Sequence, residues 1–323
     1  MKRLLRDIWS LCALAALTFT LSRAGVYRAL AARLEPPADD DWLSRESAAY
    51  LPPEKTAARP GRILPLLPAD EAPMETAPIP TPVPGPRPLP KVRSALKQPV
   101  DYEALLEAGW DYAPAATGPQ ILILHTHSCE AYTPETPGET ASADFRSLDE
   151  SRSVIAVGDV LTETLEGFGF TVAHDRSLYD WPSYNGAYDR SGDAVQNWLA
   201  QYPGLQVVID LHRDSLGGAR TEYLLPDGTK CAQVMLLLTS GENGLDHPNW
   251  KENLKLGLEV QSEMEVRYPG LSRELYLSPA RYNQHLSTGS FLAEIGTEAN
   301  TLSEAKRAAA LLGECLAAVL LDK

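Results

Sequence analysis

The sequence predicts an α/β fold, in which a mainly parallel sheet carries helices on both faces and is preceded by an N-terminal membrane segment and a linker. Two observations from the region after Gly118 predict the sheet. Short, continuous apolar runs such as 121–124 are typical of strands buried on both faces. These runs alternate along the chain with segments of helical periodicity, and strands that alternate with helices form parallel sheets.

The predicted elements follow one another from Gly118 to the C-terminus. Strands are expected at 121–124, 169–173, 207–211, 233–238 and 291–295. Helices are expected at 153–167, 194–202, 250–267 and 302–321, and Asn300 or Thr301 is the expected cap of the last one. Residues 119–323 are a suitable length for one domain of this kind.

The first 34 residues predict attachment to a membrane. Basic residues precede an uncharged run from Ile8 to Ser22, and snorkelling of Arg23 can lengthen this run to a full span. We favour an uncleaved signal-anchor, although the small residues at 29–31 also fit a cleaved signal peptide. We therefore expect a single N-terminal span in the cell membrane.

Residues 35–118 are expected to form a proline-rich flexible linker. Residues 35–99 contain 16 of the 26 prolines, and the stretch 76–90 is nearly alternating proline. Proline removes a backbone hydrogen-bond donor and favours the extended polyproline II conformation. The linker is thus predicted to act as a semi-rigid spacer between the membrane and the domain.

The charge and the cysteines exclude several classes of protein. The chain has 43 acidic residues against 29 basic ones, which argues against a nucleic-acid partner. None of the four cysteines forms a Cys-x-x-Cys pair, so a zinc ribbon and a disulfide framework are not expected. One disulfide bond between two of the cysteines stays an open alternative.

Histidine and glutamate side chains stand at the ends of three predicted strands. His125 and His127 follow the first of these strands, His212 ends another, and Glu294 lies within the last. Sites in open α/β sheets form at the carboxyl ends of the strands. Imidazole and carboxylate are the ligands that catalytic zinc prefers, with one position open for water.

The third zinc ligand is expected to be an acid. Glu150 precedes the helix at 153–167 and can lie near the same edge, and Glu130 and Asp210 are its rivals. Glu294 is then left as the general base. The alternative is that the strand-end histidines are hydrogen-bonded core residues. Nucleophilic catalysis by Ser128 or Cys129 is not favoured, because neither lies in a Gly-x-Ser-x-Gly turn.

Five segments together resemble one protein family. They are ILILHTHSCEAYTP at 121–134, VIDLHRDS at 208–215, HPNWKENLKL at 247–256, RYNQHLS at 281–287 and FLAEIGTEANTLSEAKRAAALL at 291–312. In this order they resemble the stage II sporulation protein P family of endospore-forming bacteria. The resemblance runs from about residue 119 to the C-terminus.

The resemblance implies a function and its partners. The family looks like a branch of the zinc N-acetylmuramoyl-L-alanine amidases, which bind one Zn²⁺ per catalytic domain and hydrolyse peptidoglycan. Its members cleave the amide between muramic acid and L-alanine, and also stem-peptide cross-links. They are anchored in the mother-cell membrane and act with sporulation proteins D and M during engulfment.

The resemblance also implies roles for individual residues. It assigns the metal ligands to His127, Glu150 and His212, and the catalytic role to Glu294. His125 has no counterpart in ordinary amidases, so it is expected to be either a supporting residue behind the ligands or itself the ligand.

Six residues are candidates for substrate binding: Arg213, Asn249, Trp250, Asn253, Asn283 and His285. For Arg213 the alternative is an ion pair with an acid such as Asp214. For the other five, which lie in segments without amidase counterparts, the alternative is loop packing. Two other functions stay open: a wall-binding scaffold without activity, and a zinc peptidase that acts on stem peptides alone.

Overall fold

The computed structural model describes residues 87–113, 117–136, 141–142 and 144–323, which all fall within one compact unit. The predicted membrane segment and most of the predicted linker lie outside the described residues. Within those ranges, every helix is too short or too polar to cross a bilayer.

Nine strands are found in the described part of the chain. They are β1 (Val92–Ser94), β2 (Ile121–Leu124), β3 (Val172–His174), β4 (Val207–Asp214), β5 (Tyr223–Leu224), β6 (Lys230–Cys231), β7 (Val234–Thr239), β8 (Leu275–Ser278) and β9 (Gly289–Thr297). Seven of them form one sheet in the order β1-β8-β7-β9-β4-β2-β3, and β5 and β6 form a small hairpin. Within the large sheet all pairs are parallel except β7 with β9.

Helices cover both faces of the large sheet. They are α1 (Tyr102–Ala108), α2 (Val154–Gly167), α3 (Ala187–Gln201), α4 (Trp250–Arg267) and α5 (Leu302–Leu321). On one face, Leu122 and Val208 pack against Val195 of α3. On the other, alternate residues of the same strands, such as Ile121 and Ile209, pack with buried side chains of α2, α4 and α5. This alternation is the side-chain period of a strand.

The predicted α/β architecture is confirmed. The helices predicted at 250–267 and 302–321 have those bounds, and Thr301 caps α5 in a capping box with Glu304. Helix α3 begins seven residues before the prediction, because Gly and Ser residues there interrupt the apolar pattern. Strand β8 escaped prediction because its apolar run, Leu275–Leu277, is shorter than the four-residue run that marks β2.

The domain boundary expected at residue 118 lies too late. Strand β1 extends the sheet at its edge, α1 packs against α4, and both belong to the predicted linker. Trp110 is buried, and its Nε1 donates to the carbonyl oxygen of Thr288 at 2.7 Å. A three-residue strand and a seven-residue helix are too short to reveal their periodicity among the prolines.

Substitution of Trp110 tests whether this segment belongs to the domain. Trp110 is 3% exposed, so Trp110→Ala should lower the free energy of unfolding by about 3–5 kcal/mol. Trp181 is 54% exposed and is the matched control, with an expected change within about 0.5 kcal/mol. Urea unfolding measures both, and equal effects would show that the segment does not belong to the folded unit.

Candidate active site

The pairing of β4 with β9 brings a histidine and a glutamate side by side. His212 of β4 lies directly opposite Glu294 of β9 in the parallel register. Asp210 precedes His212 by two residues and therefore shares its face of the sheet. The register shifts immediately after His212, so the ladder becomes irregular where these polar side chains emerge.

The turn after β2 adds a second histidine and a second acid. The backbone N–H of Glu130 donates to the carbonyl oxygen of His127 at 3.1 Å, which closes a turn and brings the two residues together. The His127 and His212 rings meet edge to face, with centroids 5.2 Å apart. Oε2 of Glu130 lies 3.4 Å from Nδ1 of His212 and accepts the backbone N–H of Arg213 at 3.0 Å.

Asp210 fixes the other side of the His212 ring. Its Oδ1 lies 2.9 Å from Nε2 of His212, a close electrostatic contact that lacks the alignment of a full hydrogen bond. The carboxylate is itself held by the N–H of Thr126 at 2.8 Å and by the Thr126 hydroxyl at 2.6 Å. Asp210 thus orients the ring so that Nδ1 faces Glu130. Carboxylates commonly orient metal-binding histidines in this way.

The electrostatics of the cluster favour a cation between these groups. Burial opposes the imidazolium form of His212, but Asp210 and Glu130 outweigh burial and hold its pKa well above the usual range. Burial would raise the pKa of Glu130, yet His212 and Arg213 lower it to about 2. Burial lowers the pKa of His127 to about 4, so its imidazole is neutral. Two acids around one imidazolium form a site where a metal ion can replace a proton.

Glu294 has the properties of a general acid–base. Its carboxyl group is buried, and Oε2 has no hydrogen-bond partner among the described residues. Burial, followed by the charge of Asp214, raises the pKa of Glu294 to about 8. A carboxyl group with a pKa near the working pH can both take and return a proton.

The residues around His212 have the donor chemistry that zinc prefers, and one pair of them has a suitable spacing. Across residues 87–113, 117–136, 141–142 and 144–323, no three His, Cys, Asp or Glu side chains form a ready-made metal site. However, the 3.4 Å between Glu130 Oε2 and His212 Nδ1 is close to the roughly 3.3 Å that separates two donors of tetrahedral zinc. With His127 beside them, they form the His, Glu and His set that zinc hydrolases use.

Glu150 lies outside this cluster. Its carboxylate accepts hydrogen bonds from Nε and Nη2 of Arg176 at 3.1 and 2.7 Å, and its side chain is 43% exposed. The contacts of the described residues therefore favour Glu130, one of the two rivals, as the third ligand. The sequence pattern that indicates Glu130 is the His-x-x-Glu spacing at 127–130, because a turn over these residues brings His127 and Glu130 together.

His125 supports the site from the opposite face of the sheet. Its Nδ1 lies 2.9 Å from the carbonyl oxygen of Leu211, and its Nε2 lies 2.8 Å from Nε2 of His174. His174 in turn contacts Asp159 at 3.2 Å. A Cβ at Gly158 would lie 2.7 Å from both rings, so only glycine fits there. His125 thus contacts the backbone of β4 at Leu211, the residue before His212.

Arg213 binds backbone carbonyls. Its Nε and Nη2 donate to the carbonyl oxygens of Ala131 and Phe145 at 3.2 and 3.1 Å, which fixes the loop that carries Glu130. Asp214, the acid expected as a partner of Arg213, accepts a hydrogen bond from Arg273 instead.

The other substrate-binding candidates make the contacts expected of loop packing. Strand β7 runs antiparallel to β9. The loop after β7 therefore lies at the opposite end of the strands from Glu294. Asn253 there is buried and bonds the Gln284 carbonyl and the Ser290 N–H. The side-chain amide of Asn249 donates to the carbonyl oxygen of His285, and that of Asn283 donates to the carbonyl oxygen of Tyr188. Trp250 packs against the apolar core.

An aromatic wall beside His127 was not predicted from the sequence. Tyr184 stacks on His127 with centroids 4.3 Å apart, and Tyr188 meets the same ring edge-on at 5.5 Å. Arg190 holds this loop through the carbonyl oxygens of Tyr179, Ser183 and Asn185. The signal was the density of aromatic residues between 179 and 188.

Ser128 and Cys129 are not arranged as nucleophiles. The Ser128 hydroxyl and the Cys129 N–H both donate to the buried Asp180, which pairs with Arg146 at 2.6 Å. Burial raises the pKa of the Cys129 thiol to about 12. The cysteines of the described residues, 129, 231 and 315, are all free and buried.

Comparison with known proteins identifies the family. A family model described as Stage II sporulation protein P matches residues 93–317. The chain belongs to this family. Stage II sporulation protein P of Bacillus subtilis (strain 168) is 34% identical over 200 residues, which is 58% of this chain and 48% of the relative. The chain thus spans about half the length of the family member that it matches.

Solved structures with a partial likeness include several amidases. The catalytic domain of the CD27L endolysin, which targets Clostridia difficile, has a TM-score of 0.40 at 16% identity and covers 64% of this chain and 98% of its own. The CwlD amidase of Clostridioides difficile, solved with the GerS lipoprotein, has a TM-score of 0.36 at 16% identity, with 62% and 94% covered. These scores are too low to establish a common fold.

The raised pKa of Glu294 predicts a specific pH dependence of stability in the metal-free protein. The folded state holds the Glu294 proton up to about pH 8, whereas the unfolded chain releases it near pH 4.5. The wild type should therefore lose stability relative to Glu294→Gln as the pH rises through this window. Urea unfolding at pH 5, 7 and 9 with chelator measures the difference, and a constant difference would contradict the assignment.

Proposed function

We propose that the protein is a zinc-dependent peptidoglycan hydrolase that cleaves the amide between N-acetylmuramic acid and L-alanine, and also stem-peptide cross-links. The observation that carries the proposal is the convergence of His127, Glu130 and His212 beside Glu294 at one edge of the sheet. Membership of the stage II sporulation protein P family supports a role in sporulation.

In the proposed mechanism, His127, Glu130 and His212 would hold one Zn²⁺. The chemistry that the ion would supply there is Lewis acidity toward the scissile carbonyl and the attacking water. Glu294 accepts a proton from the attacking water and returns it to the leaving nitrogen. Asp210 keeps the His212 ring oriented, and the aromatic side chains of Tyr184 and Tyr188 beside His127 limit access of bulk water.

The proposal extends to location and partners. We infer that the N-terminal segment anchors the protein in the mother-cell membrane, with the domain outside the cytoplasm. There it would act on peptidoglycan together with sporulation proteins D and M during engulfment. The acidic net charge of the chain disfavours nucleic acid as a partner, which agrees with peptidoglycan as the expected one.

Two other functions are distinguished by their products. An inactive scaffold would bind peptidoglycan without releasing any fragment. Glu294 argues against it, because its Oε2 is buried without a hydrogen-bond partner among the described residues, which costs stability and is typical of a functional site. A stem-peptide peptidase would release peptides clipped at cross-links but leave lactyl-linked peptides on the glycan.

Substitutions of Glu294 and of His212 should have different effects on zinc binding and turnover. Glu294→Gln should keep zinc and lower turnover on purified peptidoglycan by about 10²–10⁴-fold, because only the proton transfer is lost. His212→Ala should lose both zinc and turnover. Elemental analysis and release of stem peptides, with and without chelator, measure the two quantities. A Glu294→Gln protein with a near wild-type rate would refute the role of Glu294.

Glu130 and Glu150 are compared directly as the third ligand. Glu130→Gln should weaken zinc affinity by at least about tenfold, whereas Glu150→Gln should leave it within about twofold. The two substitutions remove the same charge, so each is the control for the other. Zinc affinity is measured by competition with a chromophoric chelator, and the reverse ranking would restore the original assignment of Glu150.

A further inference from the structure

A cavity of about 620 Å³ is lined by residues at the end of the sheet that also carries Glu294. Met235 lines the cavity and lies directly opposite Glu294 in the pairing of β7 with β9. Directly opposed side chains share a face of the sheet, so the cavity begins next to the acid–base residue. Arg273, which also lines it, donates to Asp214 at the end of β4.

Two cations of the cavity are available to a ligand. Lys91 and Arg93 are exposed, and neither forms an ion pair with another described residue. The Arg93 guanidinium lies 4.0 Å from the centroid of the buried Tyr276 ring, which holds it in place. In a chain of net charge −14, this grouping of cations favours a carboxylate ligand.

Two acids line the same cavity. Glu265 and Glu274 also form no ion pair with another described residue. They would repel a ligand that carried negative charge alone, and they can accept hydrogen bonds from an ammonium group. The charges of the cavity are therefore complementary to a group that carries a carboxylate and an amine together.

The position of the cavity matches the reach of a short peptide. Neighbouring strands lie about 4.8 Å apart, so Met235 is roughly 5 Å from Glu294, and β1, the strand of Arg93, is roughly 14 Å from β9, the strand of Glu294. An extended peptide advances about 3.3–3.6 Å per residue. The second to fourth residues after a scissile amide at Glu294 would therefore lie in the cavity.

The opposite side of the site has a different chemistry. There Tyr184 stacks on His127, and Trp181 of the same loop is exposed. Aromatic faces suit the apolar faces of a sugar ring, whereas the cavity carries charge. A substrate that joins a sugar to a charged peptide is thus expected to place its peptide towards the cavity.

We propose that this cavity is a subsite for the diamino acid of a peptidoglycan stem peptide. Lys91 and Arg93 bind its side-chain carboxylate, and Glu265 and Glu274 bind its side-chain amine. The proposal rests on the proposed function, since it takes peptidoglycan as the substrate, and it adds a source of selectivity between stem peptides.

Free stem tripeptides test the subsite without any turnover. The full-length protein is titrated by calorimetry with L-Ala-γ-D-Glu-X, where X is diaminopimelic acid, its side-chain amide, or lysine. Diaminopimelic acid should bind at least about tenfold more tightly than the other two. Lys91→Gln with Arg93→Gln should reduce this preference to less than twofold. The control variant, Lys97→Gln with Lys251→Gln, removes two exposed lysines at the opposite end of the strands and should keep the preference for diaminopimelic acid.

Three results would overturn the subsite: equal affinity for the three peptides, a preference that survives Lys91→Gln with Arg93→Gln, or no binding of any peptide. Release of stem peptides from intact peptidoglycan is measured in parallel on the wild type. Cleavage without tripeptide selectivity would refute the subsite alone. Absence of cleavage would refute the proposed function.

Discussion

The parallel pairing of β4 with β9 is the interaction on which the rest of the site depends. It buries Glu294 beside His212, and the resulting desolvation raises the pKa of the glutamate towards the range where acid–base catalysis is effective. The same register sets Asp210 on the shared face, where it orients His212. Neighbouring elements then complete the arrangement: the turn after β2 adds His127 and Glu130, and Arg213 anchors the loop that carries Glu130.

Support for this edge comes from both faces of the sheet. On the α3 side, Tyr184 and Tyr188 enclose the His127 ring. On the other side, the His125 and His174 pair contacts the backbone of Leu211, one residue before His212, and the close approach of α2 requires glycine at position 158. The candidate ligands are therefore positioned by packed and hydrogen-bonded groups, as a metal site requires for a defined geometry.

The sequence allowed much of this to be predicted, because strand-end polarity is a local signal. His127, His212 and Glu294 each follow or interrupt an apolar strand, and parallel topology brings such positions together. Glu150 and Glu130 could not be ranked in that way, since their order depends on the conformation of the turn at 127–130 and on a distant partner, Arg176. The edge strand β1 and the cavity behind it escaped prediction for a similar reason: their contacts with β8 and Met235 join residues far apart in sequence.

The central claim is that His127, Glu130 and His212 bind zinc beside Glu294. Anomalous diffraction at the zinc absorption edge, from crystals of the protein grown with one equivalent of zinc, tests it most directly. The account predicts one strong peak within about 2.0–2.3 Å of ligand atoms from these three residues. A peak between His125 and His174, a peak at Glu150, or no peak in crystals shown to contain zinc would contradict it.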